Sequence, residues 1–204
     1  MSNVSLRGRL SRHLAVAATV AAGAAGAASA QIVYWGDANL VVPATIDGLY
    51  INVETQQTGS SGGSVAGWDI NPYSATGLTF FNASGSGIFR LPGATTPSSV
   101  AIGTVIDSSG TFAGGSASTS SAVGAWTLDA SNYFGFRFVA SDGGTKYAWA
   151  RFVIGPALND GSRMIAEIAY ESSGGAITVG AIPAPGAVAL LGLAGLAGSR
   201  RRRG

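Results

Sequence analysis

The side chains that most often run catalysis are nearly absent from this chain. Its 204 residues include no cysteine and one histidine, His13. His13 falls in an N-terminal segment that reads as cleavable, so the remaining chain has neither group. That excludes Ser-His-Asp and Cys-His nucleophile chemistry, and it removes the side chains from which zinc sites are usually built. Carboxylates, a few arginines and aromatic rings are left. Asp69 and Asn71 stand two apart in Trp68-Asp69-Ile70-Asn71-Pro72, so on a strand they point the same way. With Asp37 or Asp47 they could offer oxygen ligands to calcium. The same residues also read as an Asx turn before Pro72. A second candidate is a ligand face made of Arg137, Tyr147, Trp149 and Arg151. Flat rings stack on sugar faces, and guanidinium groups donate to hydroxyls and carboxylates. The plain alternative is that these rings stabilise the sheet by cross-strand pairing or lie under a loop. Carboxylate-pair hydrolysis of polysaccharide is a third chemistry, although no pair is singled out. No cofactor and no catalytic residue is expected.

These groups have to be positioned by residues 31–181, where short β-type runs alternate with Gly/Ser punctuation. Such runs occur at 48–54, 64–70, 78–82, 87–91, 100–106, 124–128, 133–140, 146–154, 163–171 and 176–180. The first alternates Leu49, Ile51 and Val53 against Tyr50, Asn52 and Glu54. Stretches 59–64 and 114–121 read as low-complexity loops. Many short strands at this spacing predict an all-β, antiparallel sandwich of jelly-roll-like type. In the hairpin 133–154, Phe134, Phe136 and Phe138 share one face. A three-residue loop, Asp142-Gly143-Gly144 with Gly144 left-handed, puts them with Ala148, Ala150, Phe152 and Ile154, whereas an even loop would bury Arg151 beside them. The odd loop leaves Arg137, Tyr147, Trp149 and Arg151 together on the opposite, exposed face. Beyond the hairpin, Met164, Ala166, Ile168 and Tyr170 continue the core stripe. Arg163, Glu167 and Glu171 face away, with a glutamate placed to pair with an arginine, and Lys146 is solvated.

The ends carry addresses. Arg7, Arg9 and Arg12 precede an apolar run from Leu14 to Ala25, then Ala28-Ser29-Ala30 and Gln31. This order of basic, apolar and small-residue regions predicts a helical signal peptide, 1–30, cleaved after Ala30 by signal peptidase following general secretion. At the other end, 182–204 reads Ile182-Pro183-Ala184-Pro185-Gly186, then an apolar stretch to Gly198, then Ser199 and Arg200, Arg201, Arg202 and Arg203. As a helix the thirteen apolar residues reach about 20 Å, short of a ~30 Å hydrocarbon core unless flanking residues and snorkelling arginines extend them. The arginines hold their side cytoplasmic. The net charge of +2 belongs to these ends. Between them, Arg90, Arg137, Lys146, Arg151 and Arg163 face ten acids, so the middle is near −5 and nucleic acid is not an expected partner.

The proline-containing motif, short Leu/Ala/Gly helix and terminal arginine cluster resemble the PEP-CTERM sorting signal processed by exosortases, with Ala184 standing where that family has glutamate between two prolines. Tyr133-Phe-Gly-Phe-Arg-Phe, Lys146-Tyr-Ala-Trp-Ala-Arg and Ile168-Ala-Tyr-Glu also resemble ectodomains found ahead of such tails. The resemblance implies membrane anchoring through the tail, an exosortase-type transpeptidase as partner, and delivery to the cell surface or extracellular matrix. The expected function is therefore a non-catalytic structural or interaction protein outside the cell. A glycan-binding module is the alternative, and a carboxylate-dependent extracellular polysaccharide hydrolase the second.

Overall fold

The fold is all-β and mostly antiparallel, as the short alternating runs predict. A computed structural model describes residues 31–119 and 126–183. The expected signal helix and hydrophobic tail helix, with the sorting residues from Ala184 onward, lie outside the described residues. Among the described residues no helix is long and apolar enough to cross a membrane.

The strands are β1 (Ile32–Trp35), β2 (Leu40–Val41), β3 (Tyr50–Asn52), β4 (Gln57–Gly59), β5 (Ile70–Tyr73), β6 (Thr79–Asn82), β7 (Gly87–Arg90), β8 (Val105–Ile106), β9 (Thr111–Ala113), β10 (Ser116–Ser118), β11 (Ala130–Val139), β12 (Thr145–Ile154), β13 (Met164–Glu171) and β14 (Ile177–Thr178). A large sheet runs β1-β13-β12-β11-β7-β9, with β2 also paired to β13. A smaller sheet runs β10-β6-β5-β3-β4, and β14 pairs with β8 as a two-stranded ribbon. Ile51, Ile70 and Phe80 from the smaller sheet share one core with Phe134, Phe136, Phe138, Phe152 and Ile168 from the large one. Period-two alternation produces this core, because every second residue of each strand meets the facing sheet.

The expected runs are recovered with local corrections. Residues 64–70 do not form a strand: Gly62–Ser64 is a 3-10 turn and β5 starts at Ile70. The expected loop 114–121 contains β10, held against β6 by backbone pairing and by Thr79 Oγ1 to Ser118 Oγ at 3.1 Å. Residues 126–128 are not strand. Strands β1, β2, β4 and β9 are short and lack a clear alternating signature.

The hairpin keeps its predicted parity. Phe134 pairs with Ala150 and Phe136 with Ala148, and all three phenylalanines are fully buried. The loop itself is one residue earlier than expected. Ala140 N–H donates to Gly144 O and Gly143 N–H to Ala140 O, so the three loop residues are Ser141, Asp142 and Gly143. The left-handed position belongs to Gly143, at φ 78°, not to Gly144. Asp142 sets this turn: its carboxylate accepts from Gly144 N at 2.7 Å and from Lys146 Nζ at 2.9 Å. That contact also overturns the expectation of a solvated Lys146, which is buried on the phenylalanine side.

Strand β13 departs from the predicted stripe at a bulge. Arg151 pairs with Glu167, but Phe152 pairs with Ile165, leaving Ala166 as the extra residue. Ile165 therefore enters the core in place of Met164. Arg163, expected to face away, is fully buried. All five of its N–H groups donate to backbone carbonyls: Nε to Val42, Nη1 to Gly77 and Leu158, and Nη2 to Pro43 and Ser74, at 2.6–3.2 Å. Glu171 is buried too, its carboxylate accepting from Ser173 N and Oγ and from Gly175 N. Burial opposes its ionisation, but these donors together outweigh it and hold its pKa below the ordinary value.

Candidate functional site

The structure gathers Arg137, Tyr147, Trp149 and Arg151 on one face of the large sheet, but that face is not open. Trp149 is 1% exposed and Tyr147 is buried. The β8–β14 ribbon lies over them, so that Ile106, Ile177 and Val179 form a second core with Trp149, Tyr147 and Phe89. Gly135 makes this approach possible. It stands opposite Trp149 in the sheet, and a Cβ there would come within 2.4 Å of Ile106 Cδ1. The indole N–H of Trp149 donates to Ala181 O at 3.1 Å, closing the chain's exit over the same face. An exposed sugar platform at Trp149 is thereby overturned: the rings stabilise a covered sheet.

The two arginines of that face remain half-buried at its margins. Arg151 donates through Nε at 2.9 Å and Nη2 at 2.5 Å to Glu167 Oε1. This is the expected glutamate–arginine pair. Arg137 lies over the Phe112 ring, 4.9 Å from its centroid, a cation–π contact in place of the expected carboxylate. Its Nε is buried without a partner.

The calcium candidates do not converge. Asp69 is 3% exposed, and its Oδ2 accepts from Val53 N at 2.8 Å. Asn71 uses Nδ2 to donate to Asp47 O at 3.0 Å, so Asp47 contributes a main-chain oxygen that is already engaged. Asp37 lies beside β13, where Ala38 N donates to Ala166 O. Among the described residues no group of three or more His, Cys, Asp or Glu side chains could hold a metal ion. Burial, reinforced by the nearby Glu54 charge, pushes Asp69 up to about 7 against the pull of the Val53 N–H. That value suits a general acid, but the enclosure of Asp69 keeps a substrate away from it.

Sequence reasoning missed a groove of about 280 Å³ on the outer face of the smaller sheet. Ile46, Tyr50, Asn71, Tyr73, Phe81 and Ser116 line it. Phe81 pairs with Asn71 on one side and Ser116 on the other, and the Ile51–Ile70 pairing sets Tyr50 beside Asn71. One row across β3, β5, β6 and β10 therefore reads ring, amide, ring, hydroxyl. The Trp68 ring stands between the two outer rings of this row, 4.9 Å from the Tyr50 ring and 5.3 Å from the Phe81 ring. The signal was present in the alternation of Asn71 and Tyr73 against Ile70, but Phe81 lies in a Phe-Phe pair whose outward member periodicity alone does not pick. No protein-family model, no curated protein and no solved structure matches this chain.

Proposed function

We propose that this is an exported protein of non-catalytic structural or interaction type, displayed at the cell surface or in the extracellular matrix and sorted through its C-terminal tail. The observation that carries the reading is the fit between the folded unit and the two expected processing points. Strand β1 begins at Ile32, two residues after Ala30, and Gln31 O already accepts from Ser172 N at 3.0 Å. At the far end Ala181, directly before the tail 182–204, accepts from Trp149 Nε1, the last such anchoring bond among the described residues. Removal of 1–30 and processing within the tail would thus leave every strand of the described residues and both cores intact. The finer architecture we assign on the same footing is a jelly-roll-like β-sandwich, supported by two sheets sharing one core.

On this reading the basic N-terminal region engages general secretion and signal peptidase. The tail holds the chain at the membrane until an exosortase-type transpeptidase acts. The function is carried by surface recognition, since the buried charged groups serve turns and strand connections. Deleting residues 182–204 tests the tail: the folded ectodomain should move from the membrane fraction to the medium. A full-length chain already found soluble outside the cell, with Arg200 to Arg203 attached, contradicts the sorting role.

A further inference from the structure

We infer that the groove on the outer face of the smaller sheet binds a neutral sugar ring of an extracellular polysaccharide. This rests on the proposed surface display, which would bring the groove to such polymers, but the site is argued from its own geometry. Tyr50 and Phe81 stand two strands apart, about 10 Å between backbones, with the shorter Asn71 between them. The two rings flank the groove above Asn71, and the Trp68 ring, 4.9 Å from Tyr50 and 5.3 Å from Phe81, fills the space between them at one end. Phe81 is 40% exposed and Ile46, on the loop over the groove, is 75% exposed, so apolar area is offered to solvent on two sides. Tyr73 Oη and Ser116 Oγ are 2.9 Å apart at the rim, and either can donate.

The polar groups fit hydroxyls. The Tyr73–Ser116 pair offers a donor and an acceptor at once, matching the vicinal hydroxyls of a sugar. Asn71 is held by its Nδ2, while its buried Oδ1 has no hydrogen-bond partner. That acceptor is sealed beside Gly48, so the polar contacts open to a ligand are the Tyr73 and Ser116 hydroxyls at the rim. The six lining side chains include no charged group, so phosphate or uronate recognition has no basis there. The volume lies at the small end of ligand sites, ~300–1,000 Å³, and the groove is open rather than enclosed. That suits one ring of a longer polymer passing across the sheet, with aromatic faces meeting the ring's C–H face.

The test is affinity electrophoresis of the full chain, in a detergent without a sugar headgroup, through gels containing a neutral glucan, xylan or mannan, or the acidic polymer alginate. At least one neutral polymer should retard the protein. Phe81→Ala should weaken that retardation about tenfold, the size of one lost stacking contact, with near-ultraviolet circular dichroism unchanged. Tyr73→Phe, which removes only a hydroxyl, should weaken it about threefold. Trp149→Phe, in the sealed face, should leave it unchanged. Retardation by none of the neutral polymers, by alginate alone, or equally in Phe81→Ala and Tyr73→Phe, overturns the inference. So does self-association abolished by Phe81→Ala, which would make a second copy the occupant. A purified chain that binds a neutral polymer but never leaves the cell refutes export without touching the groove.

Discussion

Replacing Arg163 should unsettle the whole domain, although it touches no proposed ligand. Its guanidinium is fully buried and makes no contact with a carboxylate. It is held by five carbonyls from three separate connections: Val42 and Pro43 after β2, Ser74 and Gly77 between β5 and β6, and Leu158 between β12 and β13. Burial lowers its pKa from the ordinary arginine value, yet guanidinium stays protonated at neutral pH. A bond from a charged donor contributes about 1.5–3 kcal/mol. Five of them do not simply add, because desolvating the cation takes back much of the gain. Arg163→Met leaves the carbonyls facing an apolar chain and should cost about 3–5 kcal/mol, the range for breaking a buried charged network. That is a large share of a typical ~5–15 kcal/mol. Arg163→Lys keeps the charge but has three donors for five acceptors, so it should recover only part of the loss. Urea unfolding of the full chain reads both through the midpoint, at unchanged slope. Arg163→Met within about 1 kcal/mol of the parent would refute the reasoning.

Three further expectations follow from burial and register. Phe136→Ala should cost about 3–5 kcal/mol as a fully buried core aromatic, while Arg137→Ala and Arg151→Ala, both at half-buried margins, should each cost under about 1 kcal/mol; the reverse order in denaturant midpoints would contradict the hairpin register. Gly135→Val should destabilise by about 1–3 kcal/mol through overpacking against Ile106, and a neutral effect on thermal unfolding would mean that the β8–β14 ribbon does not press on the sheet. Asp69 makes stability depend on pH. Its carboxyl is raised from 3.8 to about 7, so folded and unfolded chains both hold the proton below pH 4, and its contribution is then fully present. Above that the unfolded chain releases the proton first, so stability falls as pH rises and the loss is complete above 7, reaching roughly 4 kcal/mol. Asp69→Asn should remove this slope between pH 5 and 8, and parallel curves for the two proteins would contradict it.

The core was legible in the sequence because one physical rule governs it. The alternation through Phe134, Phe136 and Phe138 admits one parity once Arg151 has to stay out of the apolar face, and the structure has that parity. The turn was misplaced because the choice between Gly143 and Gly144 depends on where the Asp142 side chain bonds, which composition does not reveal. Arg163 was misread because a bulge at Ala166 shifts the strand by one residue, and nothing in an alternating pattern announces a bulge. The covered face was misjudged although a signal existed. Gly135 between two phenylalanines marks a close backbone approach, here by Ile106 from a two-residue strand too short to stand out. The groove depends on one row assembled from four strands, a juxtaposition that only topology creates.

Central to the proposed function is delivery of the folded unit outside the cell after loss of residues 1–30. The most direct test is the N-terminal sequence of the protein recovered from the cell surface or the medium. It should begin at Gln31, the residue whose carbonyl already takes part in the sheet. An exported protein that retains Arg7, Arg9 and Arg12, or one that never leaves the cytoplasm, would contradict it.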